Sequence, residues 1–587
     1  MTVRHGGDIV GEVLARHGIS HVFTLCGGHI SPILVGAKER GIGIIDVRDE
    51  ASAVFAADAV ARMTGRCGVA AVTAGPGVTN ALTALKNAQM AQTPLIVFGG
   101  ATATLLKGRG ALQDIDQLSL VRSATKWCTA ITTVQSLGPA LEKAIEIAEG
   151  GVPGPVFLEV PVDVLYPEAI VREWYFKESG VEHAKGVAAK ALNLYLKGHL
   201  YKQFHLPHVD LDVLPPDVLS GLKLPFGPDE EAQLAKVAEL VRRAERPALV
   251  VGNQTMVGCR DAAALASAVR ALGMPTWLGG SARGLLGRDA DIQFRHARGK
   301  ALKEADLVIV AGFPFDFRLK YGRGFGKHTE VVSVNLNPPE LRKNRRPEVA
   351  VHMHPAAFLQ RLAATAGASA GRWRSWIATN QQREDARDAE IRDQARSDGE
   401  LVDPIHFFLR MEEKLSDGAV LVADGGDFVA TAAYILRPRS PLSWLDPGVF
   451  GTLGVGGGFA VGAAAVRRDA EVWIVWGDGS CAYSVAEFDT CVRHGLAPIA
   501  VVGTDASWAQ IARDQVEILG DDVGTTLLKT AYHTVAEGYG GVGLLLDDPA
   551  KIDETLDRAK EIARSGKPVL LNVHIAKTEF RKGSISI

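Results

Sequence analysis

Gly477-Asp478-Gly479-Ser480 follows the unbroken apolar run Val472-Trp473-Ile474-Val475-Trp476. A second run, Ile499 to Val502, ends just before Asp505, which lies 27 residues after Asp478 (478 to 505), with Ser507 beyond it. Runs without polar alternation predict strands buried on both faces, as in a parallel sheet. The helical pattern from Ser484 to Arg493 completes a βαβ unit. Two oxygen-ligand positions then fall at the carboxyl ends of neighbouring strands, where open α/β sheets bind ligands. Mg²⁺ takes oxygen ligands in octahedral geometry, often with phosphate among them. Gly479 is expected to let the backbone approach a phosphate, with N–H groups of the following helix aimed at it. The motif predicts a metal-bridged diphosphate.

The rest of the chain supports this class of fold. At 587 residues the chain exceeds one hydrophobic core and predicts about three domains. A net charge of −3 offers no polyelectrolyte argument for nucleic acid or an anionic membrane. Cys26, Cys67, Cys128, Cys259, Cys481 and Cys491 form no CxxC pair, which predicts reduced thiols in a cytoplasmic protein without a zinc site. The polar start, Met1 to Ile9, shows no secretory signal, and no apolar run predicts a membrane span.

Strand-like runs alternate with helical patterns in three blocks, predicting three doubly wound parallel-sheet α/β domains at 1–165, 229–365 and 403–575. Strands are expected at His21 to Leu25, Ile42 to Val47, Val69 to Thr73, Leu95 to Phe98 and Gly154 to Pro161 in the first. Residues 166–228 lose the rhythm and read as a linker or insertion, with one amphipathic helix around Leu196 and Leu200 and a Pro-rich end. Residues 366–402 read as a charged helical linker, solvated over Arg383 to Arg396, and 576–587 as a tail.

This order of domains, with Gly-Asp-Gly in the last, resembles the thiamine-diphosphate (ThDP) enzymes of the acetolactate synthase, benzaldehyde lyase and oxalyl-CoA decarboxylase superfamily. The blocks then correspond to pyrimidine-binding, middle and diphosphate-binding domains. The resemblance implies ThDP and Mg²⁺ as cofactors. Metal ligands would be Asp478, Asp505 and Ser507, where Asp505 replaces the family's usual Asn. Gly477, Gly479, Ser480 and Trp508, with Gly426, Asp427 and Phe428 from a second strand end, would line the diphosphate pocket. Leu453 would wedge between the cofactor rings while Gly451 offers its carbonyl to N4′; an ordinary Gly-rich helix entry explains Gly454 to Gly458 equally well. Glu50 matches the glutamate that holds a proton at N1′ and favours the imino tautomer, though a first-turn acid also suits any helix. Gly75 and Asn80, in Gly75-Pro76-Gly77-Val78-Thr79-Asn80, match a cofactor-contacting turn that crosses a subunit interface in the family. That implies a homodimer at minimum, with a homotetramer expected.

His29 and Gln113 sit in loops after the first and fourth strands, where the family opens onto the reacting carbon, and surface hydrogen bonding is the alternative. Longer stretches, including Pro161 to Pro167 and Ala282 to Arg288, resemble the 2-hydroxyacyl-CoA lyase branch, in its acetolactate-synthase-like form. The branch implies reversible cleavage of a 2-hydroxyacyl-CoA to formyl-CoA plus an aldehyde or ketone. Arg283, Arg318, Lys320 and Arg323 would hold CoA phosphates, or are surface charges. The tail would close over the site as a lid, or remain an ordinary chain end. A carboligase without CoA and a non-catalytic cofactor-binding subunit remain the rival readings.

Overall fold

The computed structural model describes residues 5–180, 186–206, 230–367 and 371–582. The chain divides into two compact units, 1–61 with 66–222, and 62–65 with 223–587. The first holds one six-stranded parallel sheet in the order β2-β1-β3-β4-β6-β5. Its strands are β1 (His21–Leu25), β2 (Gly43–Asp46), β3 (Gly68–Val72), β4 (Leu95–Ala101), β5 (Trp127–Ala130) and β6 (Pro155–Pro161). β3, β4 and β6 are buried along their whole length, as helices on both faces require.

The second unit contains two more such sheets. One is formed by β7 (Pro247–Val251), β8 (Thr276–Leu278), β9 (Gln293–Phe294), β10 (Leu307–Ala311), β11 (Glu330–Asn335) and β12 (Val349–His352), in the order β12-β11-β10-β7-β8-β9. The other is formed by β13 (Val420–Ala423), β14 (Trp444–Leu445), β15 (Val472–Gly477), β16 (Ile499–Thr504), β17 (Val542–Leu546) and β18 (Val569–His574), in the order β14-β13-β15-β16-β18-β17. The first and third sheets share one winding, while the middle sheet has the dinucleotide-fold order. Fully buried Trp473 and Trp476 on β15 fill the core beneath the Gly-Asp-Gly turn.

Several local expectations are revised. The stretch Ser484 to Arg493 is not one helix: Asp478–Ser484 and Glu487–Arg493 are separate, so the first helix begins on the motif's own aspartate. Within 166–228, Glu168–Ser179 and Val187–His205 are both helical, and Leu196 and Leu200 pack with Val171, Tyr175 and Phe176. Buried Asp163 anchors them, accepting from Gln203 Nε2 (2.7 Å), Thr104 N (3.0 Å) and the Tyr175 hydroxyl. The Pro-rich end of that stretch lies outside the described residues. Helix Arg374–Gln394 is charged as expected but not simply solvated, since Trp376, Glu384 and Ile391 are buried. Arg295 draws its acids inward, donating to Glu384 (3.0 Å) and Asp388 (2.7 Å).

Candidate functional site

In the first sheet the winding reverses between β1 and β3, and the loops leaving that point carry the first group of candidates. His29 follows β1, and its Nδ1 lies 3.3 Å from the Thr73 hydroxyl, which follows β3. Burial pushes the His29 pKa below its ordinary value. Glu50 is the first residue of helix Glu50–Thr64 and is buried. One of its carboxylate oxygens accepts from Asn80 Nδ2 at 3.0 Å. Asn80 ends the short helix Pro76–Asn80, which Gly75 opens with φ +65°. A side chain at Gly75 would also collide with Gln113, whose carbonyl lies 2.9 Å from the Cβ position. Asn80 at one end of that short helix thus holds Glu50, Gln113 abuts Gly75 at the other, and Glu50 and the His29 partner Thr73 both approach Gly77. Gln113 itself has φ +62°, an uncommon conformation for a residue with a side chain.

In the second unit, one cavity of ≈ 1210 Å³ gathers the remaining candidates. Gly426, Asp427, Phe428, Gly451, Leu453, Gly477, Asp478, Gly479, Ser480, Asp505, Ser507 and Trp508 all line it, at the carboxyl ends of β13, β15 and β16 and the turn before Val455. Arg283, Arg318, Lys320 and Arg323 line it from the middle sheet.

Asp478 is fixed by backbone donors: Gly479 N to Oδ1 and Ala506 N to Oδ2, both at 2.8 Å. Asp505 accepts from Ser507 N at 3.1 Å, across a turn in which Ala506 has φ +57°. Burial raises the pKa of both carboxyls, and the Asp478 charge helps lift Asp505 to about 6. Two partly desolvated acids in one pocket with a tight peptide turn beside them form a hard oxygen donor set that suits Mg²⁺. Gly426 (φ +106°) and Gly451 (φ +66°) leave open space where side chains would stand, so the cavity wall has room for a diphosphate. Gly479 has a second reason to be glycine. A Cβ there would meet the Trp508 indole at 2.4 to 2.8 Å, so the ring over it already demands glycine.

Asp427 donates no free charge to this wall, because Arg513 pairs with it at 2.7 Å. Leu453 lies across Gly425, within 2.4 Å of that residue's Cβ position. Asp424, the residue after β13, holds the Leu453 turn. Its carboxylate accepts from Gly454 N (2.9 Å), Gly456 N (2.8 Å) and Trp476 Nε1 (3.1 Å), and burial raises its pKa to about 7.

The cations are not equivalent. Arg283 donates to the Ala433 carbonyl (2.9 Å) and stacks 4.6 Å over Trp444, so it also holds two sheets together. Arg318 forks onto Asp316 (2.6 Å) and lies 4.2 Å over Phe313. Arg298, which sequence reasoning missed, lines the same wall and donates to the Arg318 carbonyl at 2.8 Å. Burial lowers its pKa, and the neighbouring Arg318 and Arg283 charges act in the same direction. Its only signal in the sequence was proximity to other arginines, which does not separate a buried cation from a surface one.

The sequence matches the thiamine pyrophosphate enzyme N-terminal TPP binding domain over residues 4–120, the central domain over 234–362 and the C-terminal TPP binding domain over 424–573. This chain belongs to the thiamine pyrophosphate enzymes. It is 47% identical to 2-hydroxyacyl-CoA lyase 2 of Danio rerio, over 100% of this chain and 94% of that protein. Identity to 2-hydroxyacyl-CoA lyase 2 of Homo sapiens is 43%, over 100% and 92%. A probable acetolactate synthase of Mycobacterium bovis is 32% identical, over 97% and 95%. Among thiamine pyrophosphate enzymes the chain thus groups with the 2-hydroxyacyl-CoA lyases, as a ThDP-dependent lyase. No helix among the described residues is long and apolar enough to cross a membrane.

Proposed function

We propose that this ThDP enzyme cleaves the C1–C2 bond of a 2-hydroxyacyl-CoA, releasing formyl-CoA and an aldehyde or ketone, and that it runs in both directions. Similarity over the whole chain to proteins named 2-hydroxyacyl-CoA lyase 2 supports the reaction class. The observation that carries the CoA part is the single cavity joining the Asp478 wall to Arg298, Arg318, Lys320 and Arg323. Exposed Phe317 and Tyr321 in the same middle-domain segment offer faces for a purine beside those phosphate-binding cations.

Asp478, Asp505 and the Ser507 carbonyl would hold Mg²⁺ against the diphosphate, with Gly426 and Gly451 leaving room for it. When bound, thiamine diphosphate supplies a nucleophilic carbon and takes up the electron pair released as the C1–C2 bond breaks. Glu50, kept in place by Asn80, would hold a proton at the pyrimidine N1′. His29 would accept the proton of the 2-hydroxyl, and Gln113 would orient that hydroxyl. The hydroxyl loses one proton and the formyl carbon gains one, so the cleavage needs neither water nor an oxidant.

We place the enzyme in a reducing, cytoplasmic setting as a homodimer or homotetramer. The tail from 576 is proposed as a lid. Phe580 packs edge-on against Tyr434 (5.9 Å) and beneath Arg387 (5.6 Å), and both partners line the cavity; residues 583–587 lie outside the described chain. The test is incubation with ThDP, Mg²⁺, formyl-CoA and a panel of aldehydes and ketones, with mass detection of 2-hydroxyacyl-CoA. Product formed only from 2-oxo acids, without CoA, would favour the acetolactate-synthase-like reading instead.

A further inference from the structure

Glu159 lies in the middle of the apolar strand β6 and is 1% exposed, yet no step above uses it. Its carboxylate meets two residues that are far apart along the loop following β4. One oxygen pairs with the Lys107 ammonium, and the other accepts from Gln117 Nε2 at 3.0 Å. Between those two contacts runs the segment that carries Gln113. That segment has little core of its own: Leu112 is 82% exposed and Ile115 is also exposed.

Gln117 reaches further. Its Nε2 also donates to the Gly100 carbonyl (3.0 Å), and its Oε1 accepts from Gly75 N (2.9 Å). A carboxylate and a peptide carbonyl can only accept, so the Gln117 amide has one orientation, with its oxygen turned to Gly75. Gly75 opens the helix ending in Asn80, the donor to Glu50, and its Cβ position abuts Gln113. One buried carboxylate therefore fixes both ends of the loop and, through one amide, the turn against which Gln113 rests.

We propose that Glu159 is a positioning residue that clamps residues 107–117 and thereby sets Gln113 toward the substrate. This rests on the reading of Gln113 given above. Glu159→Gln keeps the size of the side chain but removes the charge that Lys107 neutralises. It also presents an amide that can donate as well as accept, so the Gln117 amide is free to turn over. A displacement of the positioned group near 1 Å corresponds to a loss of up to about a hundredfold in rate.

The experiment compares the parent holoenzyme with Glu159→Gln, Gln113→Ala and the double variant. Three quantities are read: kcat and KM for a 2-hydroxyacyl-CoA, ThDP affinity, and hydrogen exchange of the amides in 107–117. Expected for Glu159→Gln is a loss of about ten- to hundredfold in kcat/KM, faster exchange across 107–117 and ThDP affinity within about threefold of the parent. In the Gln113→Ala background the same change costs less than about threefold, because the residue through which it acts is gone. Additive losses, or unchanged exchange in 107–117, overturn the proposal. If Glu159→Gln does not fold, Lys107→Met opens the same clamp from its exposed end and must show the same exchange and the same coupling to Gln113. If the parent has no activity on 2-hydroxyacyl-CoA, the functional reading fails, while the exchange data still decide the clamp.

Discussion

Gly479→Ala separates two explanations of the glycine in the Gly-Asp-Gly turn. If the glycine serves phosphate approach, any side chain there obstructs the ligand. If it serves the Trp508 ring, the obstruction is internal and can be relieved. The added methyl would stand 2.4, 2.5 and 2.8 Å from three ring carbons of Trp508. Carbon contacts need about 3.5 Å, so the ring must withdraw by roughly 1 Å. Forced repacking of that kind costs about 1–3 kcal/mol, and it falls on the segment that follows Asp505 and Ser507. If the bound geometry carries the whole cost, ThDP affinity in saturating Mg²⁺ falls by about 5- to 150-fold. Titration calorimetry on Gly479→Ala, Trp508→Ala and the double variant measures it. The ring explanation requires that the double variant bind ThDP no more weakly than Trp508→Ala alone, because the methyl then enters space the indole has left. A double variant as defective as the sum of both changes would refute the steric argument and return Gly479 to the phosphate.

Glu50→Gln should lower turnover at least a hundredfold, as for removal of an essential acid–base group, with ThDP affinity maintained; activity within about threefold of the parent would take Glu50 out of the mechanism. Asp478→Ala should abolish Mg²⁺-dependent ThDP binding, whereas Asp505→Asn should retain it, since the amide oxygen can still ligate and one repelling charge is removed; loss of cofactor binding in Asp505→Asn would show that the carboxylate itself is needed. His29 is held below its ordinary pKa by burial, so it is neutral in the folded enzyme at pH values where the unfolded chain already takes up the proton. Its contribution to stability is complete above the unfolded pKa and is lost as pH falls through the folded value. A thermal-melting profile from pH 8 to 5 should therefore fall less steeply for His29→Gln than for the parent, and parallel profiles would contradict that assignment.

The three sheets were legible because their central strands are long and apolar throughout, and a run such as Val472 to Trp476 has no other comfortable environment. β5 and β14 were not, since Trp127–Ala130 is only partly buried and Trp444–Leu445 spans two residues. The metal-side candidates were readable for a related reason: each stands immediately after an apolar run, so strand and ligand were seen together. Glu159 had no such cue. A single acid inside an apolar strand belongs to no motif or spacing, and its partners Lys107 and Gln117 lie on a loop whose path no periodicity records. Arg283, Arg298 and Arg318 were indistinguishable by letter; what separates them is a backbone carbonyl, a tryptophan face or Asp316, and those are set by packing between distant segments.

The shared winding of the first and third sheets explains why chemistry gathers where it does. In both, strand order reverses between the first strand and the third, β1 and β3 in one, β13 and β15 in the other. At such a reversal the connections leave to opposite faces, so the strand ends stand open instead of being covered by a crossing helix. His29 and Thr73 occupy that opening in the first sheet; Asp424, Gly426 and Asp478 occupy it in the third. The residues differ because the demands differ. On the proposed reading, one opening would serve a glutamate and an imidazole, the other a cation and a diphosphate among peptide N–H groups. A sequence pattern can announce the second because carboxylates and glycines at fixed offsets are distinctive. It can only suggest the first, where buried Glu50 becomes meaningful when Asn80 is found 3.0 Å away.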